Sequence, residues 1–395
     1  MKIFFIGFAV NSKTAHCTNG VSTAGNNMQL GIINGLKNIV KDDLKVFSIR
    51  PIATYPNESI KYVKKEFVSI SDCCNSLNIS FINMPLIKKK SIYKSLLKTI
   101  RNEIEKSEDK DIILVVFNAV PFVSMPINKL AKKYNLKSVC ILADPPVDNI
   151  RRSFIGKILR EIRDEKSIRS IQSFDKLVVL NKNASDTFAQ GIPSIVVDCG
   201  IEIDEYRDEF IKKINIENQE KKIIFTGTIQ EHSGIENLVK AMRFVTDEKA
   251  VLYIYGKGPM EEKIKEISKD MKNVCMRGFL PYDEIKKIQK EGYLLVNPSS
   301  VDHPINKVAF PSKLMEYMLS GTPVVSNKLE CIGEEYNDNI YFFEKDTPEC
   351  MGEKISSLLE MDYEEYMKIA KMAKKFIIEN KDWNKQSKKI YEFIK

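Results

Sequence analysis

The segment AFPSKLMEYMLSGTPVV, residues 309–325, holds the side chains best placed by type and spacing to do chemistry. Pro311 presets φ for a first helical turn and Ser312 is a good capping residue. A helix is predicted to open here with several backbone N–H groups unpaired by its own carbonyls, an end where an anion can sit. Lys313 in that first turn opposes the helix dipole, unless a phosphate lies at the helix start and both face it. Glu316 falls one turn beyond Ser312, where a carboxylate can accept hydrogen bonds from a ribose diol. The plainer reading of Glu316 is a surface carboxylate paired with a lysine. Leu314, Met315 and Met318 form the apolar stripe. Gly321 ends the helix as a left-handed cap, Thr322-Pro323 prevents its continuation, and Val324-Val325 opens the next strand.

Two other segments share this character. FTGTIQEHSG (residues 225–234) and YGKGP (residues 255–259) each leave a predicted strand and turn toward a helix. Ligands bind at the carboxyl ends of strands in open α/β sheets, and Gly227, Gly256 and Gly258 would let the backbone approach a phosphate or base. Each glycine alone is equally well explained by a tight turn.

The elements that must position these groups follow from the apolar pattern. β-rich runs at Ile3 to Val10, Ile112 to Phe117, Ser138 to Ala143, Lys176 to Leu180 and Ser194 to Val197 alternate with helix-compatible stretches, which predicts βαβ units and a parallel sheet. The series restarts after the charged stretch Asp204 to Lys222, with strands at Ile223 to Thr226, Val251 to Tyr255, Leu294 to Asn297 and Pro323 to Ser326. The fold class is therefore α/β, with two Rossmann-like domains joined near residues 203–220. Ile235, Leu238, Val239, Met242 and Val245 recur at helical spacing and are read as core.

Length and composition bound the function. The 395 residues, 43% of them hydrophobic, suffice for two domains with separate cores. No apolar run approaches the roughly 20 residues of a membrane span, and MKIFFIGFAV reads as a buried first strand rather than a signal peptide. Eight scattered cysteines without C-x-x-C spacing suggest free thiols in a reducing cytoplasm. A net charge of +8, with no aromatics interleaved in a basic stripe, gives no nucleic-acid partner. Asp109-Lys110-Asp111 has the spacing of a metal-binding pair but precedes a strand, so no metal is expected. The segment Arg151 to Ile171 is basic and amphipathic. It is read as a surface helix on the N-terminal sheet, or else as a peripheral contact with an anionic membrane on the inner face of the plasma membrane.

The ordered set KIIFTGTIQEHSGIENLVKAM, LYIYGKGP, CMRGFLPYDEI and LLVNPSSVDHPINKVAFPSKLMEYMLSGTPVVSNKLE resembles the GT-B glycosyltransferases of family four, especially the branch of bacterial exopolysaccharide and capsule assembly. The resemblance implies two domains facing each other across a cleft, 1–203 on the acceptor side and 204–379 on the donor side. Residues 380–395 would return to the first domain with Trp383 at the crossing. It implies a nucleotide base near Gly256, Lys257 and the Gly278-Phe279-Leu280 backbone, and a ribose on Glu316. Phosphates would meet Pro311, Ser312 and Lys313, with Gly227, Thr228 and Gly258 also expected among the nucleotide-binding residues. TNGVSTAGNNMQLGIINGLKN (residues 18–38) resembles the family's first loop and helix, which places Asn26 and Asn27 on the acceptor side.

Three departures accompany the likeness. Family members carry a second glutamate eight positions before the one at 316, where this chain has Val308. The Arg and Lys that clamp the diphosphate are replaced by Thr228 and Ser233. A histidine of the first domain is replaced by Asn118, with His16 as a candidate substitute whose plainer reading is a solvated loop histidine. The implied activity is a retaining transfer of a sugar from a nucleotide diphosphate, a UDP-sugar, to a glycan or lipid-linked acceptor. No cofactor is required beyond the nucleotide-sugar donor as co-substrate. The leaving phosphate takes the acceptor's proton, and Lys313 and Lys307 are the candidates to stabilise its growing charge. A catalytically inactive nucleotide-sugar-binding subunit and a GT-B sugar-nucleotide epimerase are the rival readings. A nicotinamide enzyme is not supported, since no G-x-G-x-x-G follows a strand.

Overall fold

Ile3, Phe4, Phe5 and Ile6 are all buried in the first strand, β1 (Lys2–Gly7). A strand apolar on both faces belongs in the middle of a parallel sheet, and β1 pairs in parallel with β2 (Leu44–Ser48) on one side and β7 (Ile112–Phe117) on the other. The computed structural model describes residues 1–12, 22–146, 165–203 and 220–395. His16, residues 18–21, most of the basic segment (151–164) and the linker residues 204–219 lie outside the described residues.

The chain divides into two units, Met1–Gly200 together with Trp383–Lys395, and Ile201–Asp382. In the first, the strands in chain order are β1, β2, β3 (Tyr62–Val63), β4 (Phe67–Ser71), β5 (Cys74–Asn78), β6 (Phe81–Ile82), β7, β8 (Lys137–Leu142), β9 (Lys176–Val179) and β10 (Ser194–Val196). They form an eight-stranded sheet of order β10-β9-β8-β7-β1-β2-β5-β4 and a separate β3-β6 pair. All ladders of the large sheet are parallel except the β4-β5 hairpin at its edge. The order reverses between β1 and β7. The Trp383–Ile394 helix lies on the Thr23–Val40 helix, where Gly31 and Gly35 leave room that a Cβ would deny to the Trp383 ring and Ser387.

The second unit is a six-stranded sheet of order β13 (Val274–Gly278), β12 (Ala250–Tyr255), β11 (Lys221–Thr226), β14 (Leu294–Asn297), β15 (Val324–Asn327) and β16 (Tyr341–Phe343). Every ladder is parallel. Numbered from its own first strand this is the 3-2-1-4-5-6 order of the dinucleotide-binding fold, with its reversal between β11 and β14. The α/β class and the parallel sheets follow the sequence expectation. Several short strands do not: β2, β4, β5, β13 and β16 were not distinguished from loops. β13 (VCMRG) shows why, since an edge strand only partly buried carries little apolar signal. The Ile235–Ala241 helix is shorter than its apolar spacing suggested, and Val245 packs on the same core from beyond the helix end.

Beneath β11 and β12 lies a core that includes Phe225, Leu238, Ile254, Met351 and Tyr366, all fully buried. Each such side chain contributes about 1.5–3 kcal/mol, which fixes the strand ends that carry the site. Among the described residues no helix is long and apolar enough to cross a membrane. The seven described cysteines are free thiols.

Candidate functional site

β11 ends in Phe225 and Thr226, with Gly227 just beyond, at the point where the strand order of the second sheet reverses. Against this end opens the Lys313–Ser320 helix. The Lys313 ammonium sits 4.4 Å from the centre of the Phe225 ring. It also lies 3.8 Å from where a Cβ at Gly227 would be, so the missing side chain leaves the approach to the amine open. Among the described residues no carboxylate lies within ion-pair distance of it, and burial alone pushes its pKa down to about 7. An amine so placed is poised to gain a proton when an anion arrives.

The helix opens differently from the sequence expectation. Ser312 is already helical at φ −52° and ψ −30°, and its side chain makes no capping bond. Leu314 N–H donates to Pro311 O at 2.8 Å and Met315 N–H to Ser312 O at 3.1 Å, a tight first turn that occupies both groups. The anion-facing donors are thus reduced to the earliest backbone N–H groups and Lys313. Gly321 closes the helix in the left-handed conformation at φ 78°.

Glu316 keeps part of its surface open to solvent. Burial pushes its carboxyl up to about 7, opposed by a hydrogen bond from Tyr282, the charge of Lys286 and a hydrogen bond from Gln289. Both hydrogen-bonding residues and Lys286 stand on the Tyr282–Glu291 helix. Gln289 also donates from Nε2 to Thr226 Oγ1 at 3.3 Å, and the Thr226 amide donates to the Tyr317 hydroxyl at 2.8 Å. The end of β11, the 313–320 helix and the 282–291 helix are therefore locked by one buried polar network. Sequence reasoning missed Tyr282, Gln289 and Tyr317. Tyr317 is concealed beside the stripe of Leu314, Met315 and Met318, and Gln289 in a run of charged residues.

The glycines divide into two roles. Gly227 and Gly256 have φ of +142° and +149°. A Cβ on Gly256 would overlap the Gly227 carbonyl oxygen, and one on Gly258 the Ile229 carbonyl oxygen. Gly256 and Gly258 each accommodate a neighbouring backbone. The ladder continues past the strands: Gly227 N–H donates to Tyr255 O, Ile229 N–H to Lys257 O and Gly256 N–H to Gly278 O, at 2.8–3.0 Å. Beyond it Lys257 is exposed, with its ammonium 5.8 Å from the centre of the Phe279 ring. Phe279 is 65% exposed, Leu280 half-buried and Thr228 exposed. An exposed aromatic ring beside a cation at a strand end offers a stacking surface for a planar base.

Ser233, at an expected clamp position, is buried and bonds back to Gln230 O at 2.6 Å, so it shapes the turn. Two histidines that the sequence did not single out stand beside it. The rings of His232 and His303 lie 5.0 Å apart. Burial, then His303 and Lys313, push His232 down to about 4, and Gln230 Nε2 lies 2.8 Å from His232 Nε2. Val308, where the family carries its other glutamate, is buried at the end of the Pro304–Val308 helix. Lys307, expected to share the charge with Lys313, pairs with Glu330 at 3.4 Å, both half exposed. Exposed pairs contribute about 0–1 kcal/mol. Replacing Lys307 by alanine should therefore change kcat/KM of donor turnover by less than about fivefold, read in steady-state kinetics.

In the first unit Asn26 is tied to the backbone: its Oδ1 accepts from Val10 N–H at 2.9 Å and its Nδ2 donates to Val10 O at 3.0 Å. That buried amide holds the Val10 backbone in place. Asn27, beside it, is half-buried. Asn118 adopts φ +62°, and its Oδ1 accepts from the Ala143 and Asp144 amides at 2.9 and 2.8 Å while Nδ2 donates to Asp144 Oδ2 at 2.8 Å. The asparagine thus aims the Asp144 carboxylate. Burial raises the Asp144 pKa and the Asn118 bond opposes the rise. Asp109 and Asp111 lie on the N-terminal amine, at 3.2 and 3.8 Å.

Residues 206–395 match the family model described as Glycosyl transferases group 1. The chain is 30% identical over 200 residues to an uncharacterized glycosyltransferase of Methanocaldococcus jannaschii, an alignment of 48% of this chain and 49% of that protein. The chain therefore aligns with about half the length of the curated relative it matches. Solved structures match over nearly the full length. Sucrose-phosphate synthase from Thermosynechococcus elongatus has a TM-score of 0.70 at 12% identity, covering 99% of this chain and 98% of that one. Anabaena HepE in complex with UDP has a TM-score of 0.67 at 15% identity, covering 99% of each. The fold is that of the GT-B glycosyltransferases.

Proposed function

We propose that this chain is a retaining glycosyltransferase that moves a sugar from a UDP-sugar to a glycan or lipid-linked acceptor in surface polysaccharide assembly. The observation that carries the reading is Lys313, an ammonium without a carboxylate partner among the described residues, at the carboxyl end of β11, with Glu316 one turn along the same helix. A diphosphate would supply the anion that Lys313 lacks, and the ribose would find the Glu316 carboxylate. UDP is bound in the Anabaena HepE structure of the same fold, and the family match covers the half of the chain that carries these residues.

The chemistry asked of these groups is modest. The bond between the anomeric carbon and the diphosphate oxygen breaks, negative charge grows on that oxygen, and Lys313 stabilises it. The acceptor hydroxyl attacks from the same face and gives its proton to the departing phosphate oxygen, so no enzymatic nucleophile is needed. Val308 in place of a sugar-contacting glutamate favours one second reading, a nucleotide-sugar-binding subunit without catalysis.

Thermal melting with UDP, GDP, ADP and NAD, on the wild type and on Glu316→Ala, tests the assignment. A ligand present at 100 times its Kd stabilises by about 2.7 kcal/mol, so UDP alone should raise the Tm. Losing hydrogen bonds to a charged acceptor costs about 1.5–3 kcal/mol, so the variant should bind UDP roughly 10–100-fold more weakly. A shift with NAD, or with none of the four, would sink the proposal. UDP binding without donor turnover would favour the binding subunit.

A further inference from the structure

A pocket of about 830 Å³ opens in the first unit at the carboxyl ends of β7 and β8. Its walls are apolar, from Ala119, Val120, Pro121, Phe122, Met125 and Leu142. Three lysines border it: Lys89 and Lys90 in the first turn of the Lys88–Lys106 helix, and Lys166. All three are exposed, and none has a carboxylate within ion-pair distance among the described residues. Lysines in a first turn work against the helix dipole, an arrangement that an anion would relieve. One carboxylate faces the same space, Asp144, which Asn118 grips through Oδ2 at 2.8 Å. The other oxygen is left to accept from an incoming hydroxyl.

These surfaces ask for different parts of one molecule. Apolar walls of this extent hold a hydrocarbon chain rather than a sugar alone, and the volume suits one small ligand. Three cations against one carboxylate require a negative group, and Asp144 requires a hydroxyl donor. Met125 at 52% exposure, with Leu86 fully exposed and Ile87 at 45% just before the lysines, extends the apolar surface outward from the pocket. We infer that this pocket binds a single-chain lipid phosphate with a hydroxyl-bearing head, its chain on the Phe122 and Met125 wall, its phosphate at Lys89, Lys90 and Lys166, and its hydroxyl on Asp144. The inference rests on the glycosyltransferase reading and names the acceptor class for it.

Binding is measured by calorimetry with dodecyl phosphate below its micelle-forming concentration, against dodecyl glucoside, inorganic phosphate and vesicles of anionic phospholipid. Dodecyl phosphate should bind at least tenfold more tightly than dodecyl glucoside or inorganic phosphate. The double variant Lys89→Glu, Lys90→Glu and the exposed single change Met125→Glu should each weaken it about tenfold or more. Asp144→Asn should weaken dodecyl phosphate carrying a glucosyl head while leaving plain dodecyl phosphate no weaker. Equal binding of inorganic phosphate, equal binding of the neutral glucoside, or binding to vesicles alone would each overturn the inference. The UDP melting shift is measured on the same samples. If UDP binds and the lipid phosphate does not, only the acceptor class falls; if UDP fails as well, the glycosyltransferase reading falls with it.

Discussion

Lys313→Met should lower kcat/KM of donor turnover by about 100- to 1,000-fold, the usual loss when a single charge-stabilising group is removed from a transition state. The same change should raise the melting temperature of the ligand-free protein. The amine is held at a pKa of about 7 by burial against Phe225. Below that value the folded chain carries the full cost of a desolvated charge, and methionine removes it for a gain of about 1–2 kcal/mol. Between about 7 and the ordinary value of 10.5 the unfolded chain holds a proton that the folded chain does not. Stability therefore rises with pH across that window. Melts of wild type and Lys313→Met at pH 7 and pH 9 should differ most at pH 7, and the gap should narrow at pH 9. A variant no more stable at pH 7 would mean that the amine is better solvated than its surroundings suggest.

Binding has its own pH signature with two limbs. Diphosphate binding needs Lys313 protonated, so UDP affinity should fall as pH rises above about 7, by up to tenfold per unit. Ribose binding needs Glu316 ionised, and its carboxyl is pushed up to about 7 by burial, so affinity should also fall below that point. The optimum lies near neutrality because burial moves the two groups in opposite directions to the same value. Lys313→Met should remove the alkaline limb. Glu316→Gln should flatten the acid limb to what the terminal phosphate of UDP contributes, whose own pKa is about 6.

The reach of the sequence can be judged from the same residues. Strands such as Ile112–Phe117 and Leu294–Asn297 are short runs buried on both faces, bounded by polar residues, so their identity and limits were visible in the apolar pattern. Lys313 stood out because a cation at a helix start contradicts the helix dipole, a local conflict that needs no tertiary information. What stayed hidden depended on distant partners. Gln289 looks like a polar residue in the charged run DEIKKIQKE, yet it is 2% exposed and joins Thr226 to Glu316. Asn26 reads as one more polar residue of its helix, and only the return of the chain at Val10 shows that its amide grips the backbone there. The pairing of Lys307 with Glu330, more than 20 residues away in sequence, has no local signal either.

Gly256 shows how strongly the donor end of the second sheet depends on backbone packing. Its φ of +149° is a conformation that side-chain-bearing residues avoid, at a cost of about 1–3 kcal/mol. A methyl group there would also overlap the carbonyl oxygen of Gly227, part of a ladder with no flexible side chain to move aside. Relief would push Gly227 away from Lys313 or break the Gly256 to Gly278 hydrogen bond, and overpacking of this kind costs about 1–3 kcal/mol more. Gly256→Ala should therefore destabilise the second unit by roughly 3–5 kcal/mol, which for a domain of this size lowers the Tm by about 10 °C or more. Gly278→Ala is the control within the same sheet. It also has positive φ, +73°, but an added Cβ meets nothing within 4 Å, so it should cost only about 1–2 kcal/mol. Thermal melts of both variants with and without UDP separate the two contributions. Equal destabilisation would show that the Gly227 and Gly256 backbones can part without cost. A much larger loss at Gly256, with UDP binding weakened beyond what the lower stability explains, would tie the close approach of the two strand ends to the geometry around Lys313.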